Sequence, residues 1–168
     1  LLPDVCYAFL EKDVHLLNMQ NGLADNTVSA VYKDKEGFVW FGTRNGLSRY
    51  DGRRITNFEI SSSYPSISNL KEVFDGVLAF VDNGVFSAFD LKKERFLSVV
   101  SSSGQGIPSR GMLQKNDSLV WVISGSELHL MKRCASKEGE LRLRVEEKYT
   151  GWDNQDNLLV AITYSSDK

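Results

Sequence analysis

Short apolar stretches broken by turn residues run the length of the chain, and several of them alternate apolar and polar positions with the period of two that marks strands. Val28-Ser29-Ala30-Val31-Tyr32 is apolar and β-branched, and Asp34-Lys35-Glu36-Gly37 is turn chemistry. Phe38-Val39-Trp40-Phe41 is a short, wholly apolar strand, and Arg44-Asn45-Gly46 contains an Asn-Gly pair that favours a tight hairpin with positive φ. Leu47-Ser48-Arg49-Tyr50 alternates, Asp51-Gly52 turns the chain again, and Ile55 to Ile60 makes a fourth strand. The segments between turns are too short for helices. The pattern predicts a four-stranded meander with very short connections.

The pattern then recurs. Asp75-Gly76-Val77-Leu78-Ala79-Phe80 echoes Glu36 to Phe41 at a shift of 39, Asn83-Gly84-Val85 repeats the Asn-Gly turn, Asp90 stands for Asp51, and Arg95 to Val100 closes a second copy. A third copy lies at a shift of 81, where Leu119-Val120-Trp121-Val122 matches Phe38 to Phe41, and Leu141 to Val145 is its outer strand. Asp156 to Ile162 matches Asp25 to Val31 at a shift of 131, as the first strand of a fourth copy. A repeat of about 40 residues built as a four-stranded meander is apolar on both faces and must stack on its neighbours to bury itself. Radial stacking of such copies is a β-propeller.

The expected fold class is therefore all-β: a β-propeller fragment of four-stranded antiparallel blades, about three blades plus flanking strands. Residues 1–12 are a lead-in, 13–19 an outer strand of the ring-closing blade, 20–60 blade 1, 61–100 blade 2, 101–150 blade 3 and 151–168 the start of blade 4. Rings of this kind need about four to eight blades. The chain is thus read as the N-terminal part of a larger propeller, or as an arc completed by other copies. Its opening on Leu1 rather than Met is read as a processed or cut start.

The residues that carry the repeat also carry a family resemblance. Asn21-Gly22-Leu23-Ala24-Asp25-Asn26-Thr27-Val28, then Gly37 to Thr43, then Asn45-Gly46-Leu47-Ser48-Arg49-Tyr50-Asp51-Gly52 resemble the two-component regulator propeller repeat. The second copy departs from it with Ala79 in place of Trp, and the third with Ser126-Glu127 in place of a Gly-containing turn. The resemblance implies the N-terminal sensor region of a Bacteroides-type hybrid two-component system histidine kinase. Such receptors are anchored in the inner membrane, sense glycan fragments in the periplasm and switch on polysaccharide-utilisation genes. The partners it implies are an oligosaccharide, the remaining blades and periplasmic domains of the same receptor, and a second copy in a full-length homodimer. Kinase activity and DNA binding would lie outside this chain.

Composition narrows the function without naming it. The 168 residues carry a net charge of −2, with no basic surplus that would point to nucleic acid. No apolar run is long enough to span a bilayer. Two cysteines, Cys6 and Cys134, make neither a metal-ligand set nor a disulfide framework, and their pairing is left open. His15 and His129, the only histidines, fall in strands and read as surface residues. With no nucleophile elbow and no His-Glu metal spacing, no catalytic residue, metal or cofactor is expected. Asp34, Asp51, Asp75 and Asp90 recur at turns, where they accept backbone hydrogen bonds, so they are not read as a glycosidase pair.

Trp40 and Trp121 share one repeat position and are expected in the core between blades. Arg44, Arg49, Arg53 and Arg54 are expected at the surface, and Asn21, Asp25 and Asn26 as turn caps. Loops entering the inner strands line one mouth of a propeller. There Trp152 reads either as a loop anchor or as an aromatic that would stack on a sugar, with Asn154 binding hydroxyls, and Arg110, in the equivalent lead-in to the third blade, either as a solvated cation or as a contact to a charged sugar. The alternatives are a protein-interaction propeller without a sugar ligand, or a propeller glycoside hydrolase or lyase.

Overall fold

A computed structural model describes residues 16–62 and 64–150. Trp152, Asn154, Cys6, His15 and the beginning of a fourth copy lie outside the described residues. The first meander comprises β1 (Val28–Lys33), β2 (Val39–Thr43), β3 (Gly46–Tyr50) and β4 (Ile55–Phe58), paired in that order. The second comprises β5 (Ile67–Phe74), β6 (Val77–Asp82), β7 (Val85–Asp90) and β8 (Arg95–Ser101). The third comprises β9 (Gly111–Asn116), β10 (Leu119–Ser124), β11 (Glu127–Cys134) and β12 (Glu140–Tyr149). The architecture is that of propeller blades.

The blades are not wholly separate sheets. β8 and β12, the last strands of their meanders, pair in parallel from Glu140↔Ser98 to Leu143↔Ser101, so the second and third blades form one eight-stranded sheet. Strand length accounts for the difference from the first blade. β8 and β12 run for seven and ten residues, whereas β4 has four and ends its sheet.

Register confirms the repeat and corrects one of its turns. Trp40 faces Arg49 across the β2–β3 ladder, and Trp121 faces Leu130 across β10–β11, the same position two repeats on. In the second blade Asp82↔Val85 leaves Asn83-Gly84 as the two turn residues, at φ 48° and 79°, the expected hairpin with positive φ. In the first blade Thr43↔Gly46 leaves Arg44-Asn45 in the turn instead. Gly46 is thus a strand residue, at φ 114°, and a Cβ there would lie 2.3 Å from the Phe58 carbonyl oxygen. The two Asn-Gly pairs are therefore not equivalent.

Two cores fill the wedges. β6 is buried along its whole length because its two faces serve different neighbours. Leu78 and Phe80 join Trp40, Leu47, Ile67, Leu70 and Phe89 between the first and second blades. Val77, Ala79 and Val81 join Val120, Val122, Met131, Leu141 and Leu143 between the second and third. The repeat position held by Trp40 and Ala79 faces the following wedge, and Trp121 lies on the side of β10 away from the core of Val120 and Val122. Trp40 is 1% exposed, stacked against Phe58 and edge-on to Phe89. Trp121 is half-buried, packed on Tyr149 beneath Lys115.

Two other expectations change. The strand anticipated over 13–19 is absent from its described part. Asn18 instead caps a short 3-10 helix at Met19–Asn21, its side chain accepting from the Gln20 and Asn21 N–H groups. Arg49 is no surface cation: its guanidinium lies over Phe38, Trp40 and Phe58 and pairs with Glu94 of the next blade at 2.6 Å.

Candidate functional site

The lead-ins to β5 and β9 lie at one end of the blades, and there the structure brings together residues the sequence kept apart. Arg110 stands immediately before β9 with its side chain exposed. Its backbone is fixed from two sides: its N–H donates to the Ile123 carbonyl at 2.8 Å, and its carbonyl accepts from Asn69 Nδ2 at 3.4 Å. Asn69 sits inside β5 at φ 53°, where the ladder to β6 slips between Ser68 and Lys71. Such a bulge re-aims a side chain, and asparagine tolerates the left-handed conformation it requires. The result is an exposed amide held against the backbone of Arg110, whose own side chain is exposed.

The lead-in to β5 carries an aromatic as well. Tyr64 is 91% exposed, at φ 61°, and its carbonyl accepts from Asn83 Nδ2 at 3.3 Å. The same amide reaches Ser62 Oγ at 3.3 Å, and the Asn83 N–H donates to the Ser66 carbonyl, so the hairpin turn of the second blade holds this lead-in in place. Tyr64 is displayed on the lead-in to the second blade, and Trp152 is expected on the lead-in to the fourth. The sequence reading passed over Tyr64 and Asn69. The only signal for Tyr64 was its place in a serine-rich connector, and nothing local marked the bulge at Asn69.

The turn aspartates divide by role. Asp51 accepts from the N–H groups of Arg53 and Arg54 at 2.7 Å, and Asp90 does the same for Lys92 and Lys93 at 3.0 Å. Asp34 is buried and accepts from the Glu36 and Phe38 N–H groups and from Trp40 Nε1 at 2.7 Å. Asp75 caps nothing and pairs with Lys35 and Lys92. Asn21, Asp25 and Asn26 accept from the backbone of Asn18, Thr27 and Met19, as turn caps do.

His129 is buried rather than at the surface, with Nε2 2.6 Å from Glu127 Oε2. The His129 hydrogen bond, with Lys148 behind it, holds the Glu127 carboxyl below its usual range. No hydroxyl or thiol among the described residues hydrogen-bonds the ring. Among the described residues no group of three or more His, Cys, Asp and Glu side chains is placed to hold a metal ion. Among the described residues Cys134 is a free thiol. No helix of the described residues is long and apolar enough to cross a membrane.

Comparison with known proteins places this geometry. No curated protein matches the sequence. Among solved structures, an extracellular domain assigned to the hybrid two component system BT3049 of B. thetaiotaomicron superposes with a TM-score of 0.54 at 20% identity, covering 70% of this chain and 18% of that one. Two structures of the extracellular domain of BT4673 from B. thetaiotaomicron, assigned in one to a one component system and in the other to a hybrid two component system, give TM-scores of 0.56 and 0.55. Their identities are 17% and 21%; they cover 79% and 76% of this chain, and the chain spans 20% and 18% of theirs. The chain thus spans about a fifth of the length of the structures it matches. Residues 22–45, which run through β1 and β2 to the first hairpin, match the family model of the two component regulator propeller, and the chain shares the fold of these extracellular domains.

Proposed function

We propose that this chain is part of a periplasmic β-propeller sensor of a hybrid two-component system, which binds glycan fragments and signals to a histidine kinase elsewhere in the receptor. The observation that carries the reading is the regulator propeller repeat at residues 22–45 on a fold shared with extracellular domains of such systems. The lead-in end supplies chemistry that suits a sugar. Tyr64 offers an aromatic face, Asn69 an amide for hydroxyls and Arg110 a cation for an acidic group. Trp152 and Asn154 on the following lead-in would extend the same surface. A glycan bound there favours one arrangement of the receptor over another and so shifts the kinase's equilibrium by its differential affinity. The chain itself performs no catalysis, and the receptor acts as a homodimer.

Calorimetry on the complete extracellular region with a panel of oligosaccharides tests this. Heat confined to one glycan class supports the reading. Silence across the panel overturns it in favour of a propeller that binds a protein partner, and release of reducing ends from a polysaccharide would overturn it in favour of a hydrolase.

A further inference from the structure

The opposite end of the blades carries a second candidate site. A cavity of about 210 Å³ opens where the first inter-strand turns of all three blades converge, lined by Tyr32, Lys35, Glu72, Phe74, Asp75, Gln114 and Asp117. Phe74 is fully buried and gives it an apolar wall. Part of its polar lining is already engaged: Glu72 Oε1 accepts from the Gly76 N–H at 2.9 Å and lies 3.3 Å from Lys35 Nζ, while Asp75 is held between Lys35 and Lys92. The Gln114 amide and the Asp117 carboxylate make no side-chain hydrogen bond or ion pair with another described residue, although both line the cavity. Burial first, then the Glu72 carboxylate, holds the Tyr32 phenol above its usual range, so it remains a hydrogen-bond donor at neutral pH.

Size and charge select the ligand. The volume is below the ~300–1,000 Å³ of drug-sized ligand sites, which limits the occupant to one small ring. Three carboxylates in the lining face Lys35 within it and Lys92 beside Asp75, which leaves a net negative charge, so the cavity disfavours an acidic ligand and favours one with a positive charge. A phenol, an amide and a carboxylate beside an aromatic wall are the donors and acceptors that ring hydroxyls need. We propose that this cavity is a subsite for a single aminated sugar ring, whose ammonium is taken by the Asp117 carboxylate and whose hydroxyls are taken by the Gln114 amide and the Tyr32 phenol. The choice of a sugar over another small hydroxylated amine rests on the glycan-sensing reading; the charge preference does not.

The test uses glucosamine, glucose and glucuronate, titrated to about 50 mM because single-ring ligands bind in the millimolar range, against the 15N-labelled 168-residue chain at about pH 6, where carboxylates are ionised. Glucosamine shifts the Gln114 side-chain amide and the backbone amides of Asp75 and Asp117. Glucose binds about tenfold more weakly, as loss of one hydrogen bond to a charged group requires, and glucuronate leaves the peaks in place. Asp117→Asn, which keeps the shape, weakens glucosamine about tenfold and leaves glucose unchanged. Still peaks with glucosamine, equal shifts with glucuronate, or an indifferent Asp117→Asn would overturn the proposal. If the extracellular region gives heat with an oligosaccharide while these peaks stay still, glycan sensing stands and this subsite falls. If the region is silent to the panel while glucosamine moves them, the subsite stands and glycan sensing falls.

Discussion

One carboxylate organises the first blade. Asp34 gathers three donors, two of them backbone N–H groups in its own turn and the third the indole of Trp40, so the turn and the core are set by the same side chain. Replacing it with alanine strands a buried indole N–H, and the expected cost is about 2–3 kcal/mol, readable as a lower midpoint in urea unfolding with an unchanged slope. A neutral result would mean that water replaces the carboxylate. That aspartates recur at turns was legible, because capping is local and leaves its mark within three or four residues. The separate role of Asp75 was not: its partner Lys35 lies forty positions away, and only the fold brings the two together. The same holds for Asn69 and Arg110, forty-one positions apart.

At the scale of the strand and the blade, the period of two and the forty-residue repeat disclosed the strands of the three meanders and the shared repeat position of Trp40 and Trp121. They did not disclose the turn frame of the first blade, because an Asn-Gly pair reads alike whether it forms the turn or follows it. Nor did they disclose the pairing of β8 with β12, which depends on how far two distant strands extend. The equivalence of Trp40 and Trp121 has a direct consequence. Trp40→Ala removes a ring packed among Phe58, Phe89 and the second blade, and should cost about 3–5 kcal/mol in urea unfolding of this chain. Trp121→Ala removes a ring covered on one side and should cost less than half as much. In a longer chain bearing the next wedge, the two costs should converge. Equal costs in this chain would show that Trp121 is already sealed.

Across the whole molecule, charged groups join blade to blade at the turns. Arg49 of the first blade pairs with Glu94 of the second, and Lys93 and Arg95 of the second pair with Glu138 of the third, at nearly the same place in the repeat. Lys35 holds the Asp75 carboxyl below its usual range, and Lys93 and then Arg95 do so for Glu138. The Arg54 and Arg53 backbone N–H groups do so for Asp51. Each of these groups binds protons less readily folded than unfolded, so its contribution is complete above the ordinary carboxylate value of about 4 and is lost as pH falls through the lowered one. The melting temperature should therefore be flat from about pH 7 to 5 and fall below about pH 4. Because these carboxylates are exposed, about 1 M salt should shrink the share of that fall due to the lysine and arginine pairs. The share due to Asp51, which rests on backbone hydrogen bonds, should persist. A melting temperature that rises in acid would contradict the assignment.

The parallel seam between β8 and β12 divides the mechanical character of the arc. Along the rim, the second and third blades are laced by peptide hydrogen bonds over four residue pairs, while the first meets the second there through the Arg49–Glu94 side chains. Away from the rim the first two blades are also tied by Lys35 to Glu72 and Asp75 and by the Ser29 hydroxyl, which donates to the Ile67 carbonyl at 2.6 Å. Under load the last two blades should therefore part from each other later than the first parts from the second, because side-chain contacts yield before a ladder of peptide hydrogen bonds.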